Sequence, residues 1–404
     1  MQILPPLSLY IHLPWCVKKC PYCDFNSHVY SDGYSQAKSK AKAQTNPQVN
    51  SPAKPDTSSG IPEQAYLQSL LKDFEQDLAF VQGRQITSIF FGGGTPSLMS
   101  GAFYTQLLDS LSRSVQFSPD IEITLEANPG ASDASKFEAY RKAGINRLSL
   151  GVQSFHDHQL EKLGRIHDSA QARAAIEAAR KVGFDNFNID LMHGLPGQSD
   201  AQAIADIETA LSFEPTHLSW YQLTIEANTE FYSRPPTLPP EDTLWRIQEL
   251  GSQVLEAHGF DQYEVSAFAL PGKRAKHNLN YWEFGDYIGL GAGAHSKVSF
   301  EDSGCILRYR KSRVPSDYMQ PRVSYRVGQE EVDPDDLPFE FMMNALRLKQ
   351  GVPESYYEAR TGQPQSSISA KLTALRAEEL VQADRIQLSP KGFLFLNSVL
   401  ERFV

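Results

Sequence analysis

Three cysteines within eight positions, Cys16, Cys20 and Cys23, constrain this chain more than any other feature of its sequence. On one short loop they supply three soft thiolates, enough to ligate three irons of a four-iron cluster and to leave the fourth iron without a protein ligand. A closed zinc site would need one more nearby ligand, for which His12 and His28 are the candidates. Cys305 stands alone and reads as a packing or loop cysteine. In a chain of 404 residues, so local a group of cysteines suits metal thiolates better than a disulfide framework, and such thiols need reducing surroundings.

The loop follows an apolar, strand-like run at 7–12, and similar runs recur at 86–91, 121–125, 147–152, 186–191 and 217–223. Helix-like segments separate most of them, with 132–143 and 169–182 the clearest by their three-and-four apolar spacing. Strands alternating with helices predict parallel βαβ units, hence an α/β fold with a partial (β/α)6 barrel. Residues 1–260 are expected to form this core, with 31–62 as a mobile polar insertion poor in large apolar residues. A connecting region at 261–330 follows, and 331–404 reads as a small α+β domain. There a helix at 367–380, a hairpin at 381–388 and a helix at 390–403 give a winged-helix-like order.

Chemistry-bearing residues gather just after these strands, where parallel α/β barrels carry their binding loops. Gly92-Gly93-Gly94-Thr95-Pro96 follows the run at 89–91, and its missing side chains let a ligand approach the backbone. Glu126, Gln153 and Asp190 sit at the ends of further strands, and Arg165 lies in a following loop. Each alone reads equally well as a cap or an ion-pair partner. Together they describe a polar pocket for ribose, carboxylate and ammonium groups.

The cysteine spacing resembles that of the radical S-adenosylmethionine (SAM) superfamily, in which the cofactor chelates the open iron and yields a 5′-deoxyadenosyl radical. Tyr10-Ile-His12-Leu-Pro14-Trp15-Cys16, Pro21 to Ser27, Gly92 to Ser97, Gly151-Val-Gln153-Ser154 and Asp190 to Gly197 narrow this. They resemble the anaerobic coproporphyrinogen III oxidase-like family over nearly the whole chain. The resemblance implies a [4Fe-4S] cluster on Cys16, Cys20 and Cys23. It also implies SAM contacts from Tyr10, Tyr22, Gly93, Gly94, Thr95, Glu126, Gln153, Arg165 and Asp190, with one or two cofactor molecules left open.

Two departures separate the chain from the oxidase itself. Phe25 stands where the oxidase has an additional cysteine, and the first strand begins almost at once, without the oxidase's N-terminal extension. Both match the family's heme chaperone branch, as does His277-Asn278-Leu-Asn-Tyr281-Trp282, which resembles that branch's HNxxYW heme-binding stretch. A histidine beside flat aromatic faces suits an iron porphyrin, although His277 bonded to a neighbour and Tyr281 and Trp282 in the core read equally well as structure.

The expectation is therefore a chaperone that binds heme, carries the cluster and SAM, and delivers heme to acceptors such as respiratory enzymes, with a cluster-dependent homodimer also implied. The alternative is an oxygen-independent coproporphyrinogen III dehydrogenase. A net charge of −10 and a pI near 5.5 argue against nucleic acid and anionic membrane surfaces as partners. The 367–380 helix, with Lys371 and Arg376 set against Glu378 and Glu379, is a poor DNA reader. No run is long enough to span a bilayer, and a cytoplasmic location is expected.

Overall fold

The computed structural model describes residues 4–30, 60–301 and 303–404. Most of the expected insertion, 31–62, lies outside the described residues. Six parallel strands form the centre of one sheet: β1 (Leu7–Leu13), β4 (Ile86–Gly93), β5 (Phe117–Ala127), β6 (Arg147–Gln153), β7 (Phe187–His193) and β8 (His217–Gln222), each paired with the next. Helices such as Gly101–Ser114 and Asp200–Leu211 connect them, as parallel crossovers require. This is the expected α/β core. β1 is buried along nearly its whole length because both of its faces are covered, which is why it reads as a continuous apolar run.

The sheet is wider than the sequence pattern implied. The expected connector, 261–330, with the one residue after it supplies β9 (Asp261–Glu264), β10 (Ala267–Ala269), β11 (Asp286–Leu290), β12 (His295–Ser299), β13 (Ile306–Lys311) and β14 (Arg326–Glu331). β11 pairs parallel with β1, and β12 to β14 extend that edge antiparallel. At the other edge β10 and β9 continue antiparallel from β8, giving twelve strands among the described residues. Short strands with charged faces, such as Arg308 and Arg310 on β13, carry too weak an apolar alternation to be recognised beforehand.

The expected helix at 169–182 is Ser169–Lys181, opened by a capping box between Asp168 and Gln171. The one expected at 132–143 is instead two short helices, Ala131–Ala134 and Phe137–Lys142. Lys136 lies at the break and donates its ammonium to the Ser97 and Leu98 carbonyls, anchoring the segment to the glycine-rich loop. The C-terminal helix at 390–403 is likewise divided, into Pro390–Leu394 and Leu396–Leu400 with a closing 3-10 turn. The expected hairpin reduces to single bridges, Val381 with Leu388 and Val352 with Ile386. These elements share a second apolar core of Phe341, Tyr357, Leu372 and Val399 that extends to Phe284 and Tyr263 of the sheet region.

Two buried charge networks tie distant segments together. Lys311 on β13 ion-pairs with Asp73 and Asp77 of the helix Glu63–Asp77, and all three side chains are inaccessible to solvent. Asp286 on β11 holds Lys297 and Arg84.

Candidate functional site

The cysteine loop is clamped at its base. β2 (Trp15–Cys16) pairs with β3 (His28–Val29), the Cys23 amide donates to the Cys20 carbonyl, and the Gly94 and Thr95 amides donate to Leu13 and Trp15. Gly94 permits this approach, since a Cβ there would stand 2.6 Å from the Trp15 carbonyl oxygen. Gly93, at φ +111°, lies against His12, whose ring a Cβ would strike. His12 accepts from Tyr10 at Nδ1 and donates from Nε2 to the Asn26 carbonyl, while His28 donates to the Arg313 carbonyl. Both histidines considered as a fourth metal ligand are thus committed elsewhere.

A cavity of about 390 Å³ opens at the C-terminal ends of the parallel strands. It brings together all three loop cysteines with Tyr22, Gly93, Gly94, Thr95, Glu126, Gln153, Arg165 and Asp190, so eight of the nine residues expected around SAM share one wall with the thiols. The ninth, Tyr10, lines an adjoining cavity of about 740 Å³. That outer cavity also holds Tyr281, and Trp282 lines both. Phe25, Gly93 and Glu126 are shared as well. His277 lines neither; it is buried, its Nδ1 3.2 Å from Glu122 and its ring tilted against Phe90 at 4.1 Å between centroids. The expected group of His277, Tyr281 and Trp282 is therefore divided, and only the two aromatics reach the cavities.

Each sulfur has a polar neighbour. The Thr95 hydroxyl lies 3.5 Å from Cys16 Sγ, the Arg165 guanidinium 3.7 Å from Cys20 Sγ and the Ser27 hydroxyl 3.9 Å from Cys23 Sγ. Donors placed around thiolates are how a protein supports iron–sulfur ligation. Burial pushes the Cys16 and Cys23 thiols up, so bare thiolates are disfavoured until a metal takes the proton's place. Among the described residues no three His, Cys, Asp or Glu side chains converge on a single ion. A four-iron cluster needs no such convergence, because each thiolate meets its own iron. The residues fit such a group.

Neither Glu126 nor Asp190 forms an ion pair among the described residues, Arg147 reaching Asp190 only through its field. Burial, with the Asp190 charge adding to it, raises Glu126 to about 8 against the opposing donation of the Gly93 amide. Burial likewise pushes Asp190 up, although Ser149 and Asn188 donate to it at 2.8 Å. Such groups are left short of positive charge until a ligand brings it. Gln153 occupies the left-handed region at φ +71°, where β6 slips register against β7, and receives the Tyr221 hydroxyl at 2.8 Å. A strained non-glycine residue at a strand end is characteristic of a ligand clamp.

Arg165 is held by Asn128 Oδ1 and the Gly151 carbonyl, both at 2.7 Å. Asn128, Tyr221, Ser149 and Ser219 line the inner cavity without having been expected there. Asn128 had the clearest available signal, two positions beyond Glu126 at the same strand end.

Comparison with known proteins identifies the family. The radical SAM superfamily model matches residues 10–210, and the HemN C-terminal domain model matches 332–395. The heme chaperone HemW of Escherichia coli strain K12 is 48% identical over 406 residues, covering all of both chains. The chain belongs to the HemW family. The Haemophilus influenzae heme chaperone HemW is 46% identical, covering 100% of this chain and 99% of that one. Among solved structures, this HemW-family fold resembles Escherichia coli coproporphyrinogen III oxidase (HemN), a radical SAM enzyme, with a TM-score of 0.76 and 22% identity over 99% of this chain and 90% of that one. At that identity the likeness is one of fold.

Proposed function

We propose that the chain is a heme chaperone of the cytoplasm that carries a [4Fe-4S] cluster on Cys16, Cys20 and Cys23, holds SAM in the inner cavity, and takes heme in the outer one before passing it to heme-requiring acceptors, respiratory enzymes among them. The observation that carries the reading is the junction of the two cavities: a polar pocket beside three thiols opens, past Glu126 and Trp282, into a larger aromatic space. Tyr22, Gly93, Gly94, Thr95, Glu126, Gln153, Arg165 and Asp190 would hold the cofactor, with Tyr10 reaching it from the outer side. When bound, the cluster and SAM supply one-electron reduction of a sulfonium. The chain's own part is to cradle the cofactor, with Arg165 suited to a carboxylate and Glu126 and Asp190 to ammonium or hydroxyl groups. The amphipathic HNxxYW helix Lys276–Trp282 would lay Tyr281 and Trp282 against the porphyrin. Of the described residues, none forms a helix long and apolar enough to cross a membrane.

The deciding experiment titrates anaerobically reconstituted protein with hemin and follows the Soret band. Saturable binding near one heme per chain is expected, weakened about tenfold by Trp282→Ala through loss of an aromatic face. Lack of saturation would sink the chaperone reading and turn attention to coproporphyrinogen oxidation, assayed in the same preparation. A His277→Ala arm decides the imidazole's role: a displaced Soret band assigns it to the iron, and an unmoved band leaves it as the support of Phe90.

SAM binding supplies a pH prediction. Glu126 must lose a proton to meet a cationic group, and its folded value of about 8 lies above the usual carboxylate range. Affinity should therefore rise with pH up to about 8, approaching tenfold per unit on the acid side, and level off above it. Isothermal titration between pH 6 and 9 measures this. Glu126→Gln should weaken binding and flatten the slope, and an unchanged slope in the variant would assign the proton elsewhere.

A further inference from the structure

The outer cavity has an uneven distribution of charge that the aromatic surfaces do not explain. Its wall at β12 and β13 carries His295, Lys297 and Arg308, and Arg313 follows at the end of β13. Glu126 is the one carboxylate among the described lining residues, and it lies at the far side, shared with the inner cavity. In a chain with a net charge of −10, this wall gathers three cations, two of them paired with Asp286 and Glu340, beside His295, whose protonation is disfavoured by burial and by the neighbouring arginines. Arg310, the cross-strand partner of His295, adds to the same field.

The four are not equivalent. Lys297 is buried and neutralised by Asp286, 3.0 Å away. Arg308 is oriented by Glu340, which accepts from its Nε and Nη2, whereas its Nη1 has only the Tyr287 hydroxyl at 3.4 Å. One arm of that guanidinium therefore keeps donor capacity toward the cavity. Arg313 is exposed, and its guanidinium makes no ion pair among the described residues. Its backbone, by contrast, is fixed: Asn26 Nδ2 and His28 Nε2 both donate to the Arg313 carbonyl, at 2.9 and 3.1 Å. A held main chain carrying a guanidinium with no ion pair among the described residues, in the lining of the same cavity as a second guanidinium locked in orientation, gives that aromatic space a pair of anion-binding arms.

We propose that Arg308 and Arg313 bind the two propionate carboxylates of heme, so that the macrocycle enters the outer cavity with its propionate edge toward β12 and β13 and its opposite edge toward Trp282. This rests on the heme reading above and deepens it, since it fixes the cargo's orientation. His295 lines the same wall, where burial and the neighbouring arginines favour its neutral form, so it adds no charge to that edge. Tyr281, which meets Tyr287 edge-on at 4.9 Å, lines the same cavity.

The test compares hemin with hemin dimethyl ester, in which both carboxylates are capped, on reconstituted wild-type protein and on the Arg313→Gln variant. Arg313 is exposed and makes no ion pair among the described residues, so the substitution should leave the fold intact. Wild type should bind hemin at least about tenfold more tightly than the ester, as loss of a charge-assisted hydrogen bond implies. The variant should lose most of that preference while its affinity for the ester stays unchanged. Arg308→Gln should act in the same direction, with far-ultraviolet circular dichroism checking that Glu340, left alone, has not disturbed the fold. Equal affinities of wild type for the two hemins, or a variant weakened equally toward both, would overturn the proposal while leaving heme binding itself intact. Failure of wild type to bind either hemin saturably would overturn the heme reading.

Discussion

Replacing Cys20 by serine is expected to leave a folded chain that cannot hold an iron–sulfur cluster. The loop's geometry is set by backbone bonds from Gly94, Thr95, His28 and Tyr30 rather than by the thiols, so the scaffold should survive the change. Ligation should not, because a serine hydroxyl is a poor ligand for iron in this setting and two thiolates leave the cluster short of a soft donor. Anaerobic reconstitution should give wild type the broad visible absorption and acid-labile sulfide of a cluster and give Cys20→Ser almost none. SAM affinity should then fall by about a hundredfold or more, since chelation at the open iron disappears while the pocket's polar contacts remain. Cys305→Ser is the control. Cys305 lies beside the turn between β12 and β13, far in sequence from the loop and outside both site cavities, and its loss should change neither reading. A Cys20→Ser protein that retained its cluster, or a Cys305→Ser protein that lost it, would refute the ligand assignment.

Lys311→Met should destabilise the fold more than any change at the site, by about 3–5 kcal/mol near pH 8, because it strands Asp73 without a cation and leaves Asp77 only Arg326, 3.5 Å away, in a region closed to solvent. Burial already raises Asp73 to about 6 even with the ammonium beside it, and Tyr318 adds a hydrogen bond at 2.6 Å. A folded value above the unfolded one means stability is lost as pH rises from the ordinary carboxylate range through the folded value. Removing Lys311 moves that folded value higher still, so the variant's deficit should be small near pH 5 and grow toward pH 8. Urea unfolding of cluster-free wild type and variant at the two pH values measures it. A deficit independent of pH would mean that lost packing, and not the stranded carboxylates, is responsible.

The parallel core and most of the inner cavity were legible in the sequence because their signals are local. Each parallel strand is a continuous apolar run, and each of Gly93, Glu126, Gln153 and Asp190 sits at or near such a run's end, so strand order alone brings them together. The antiparallel edges were not legible. Charged strands such as β13 are recognisable only once a neighbour pairs with them, and β11 joins β1 across nearly the whole core. His277 shows the same limit at the scale of one residue: its sequence neighbours suggested a ligand, whereas Glu122 and Phe90, some 155 and 187 positions away, decide where its ring lies. Asn128 and Tyr221 were missed because their role is to hold Arg165 and Gln153, a relation between strands with no periodic trace in the chain.

Phe25, Gly93, Glu126 and Trp282 form a wall common to both cavities. If the two cavities take the occupants proposed above, one physical surface serves both, and no substitution in it is private to either. A change that widens the outer space for a bulkier tetrapyrrole also reshapes the pocket behind it. In an evolving population the two affinities would therefore drift as a linked trait, and independent tuning would have to come from residues that face one side alone, Arg165 on the inner and Arg313 on the outer. For an engineer seeking a chain with altered cargo and intact redox chemistry, those one-sided positions are the places to begin.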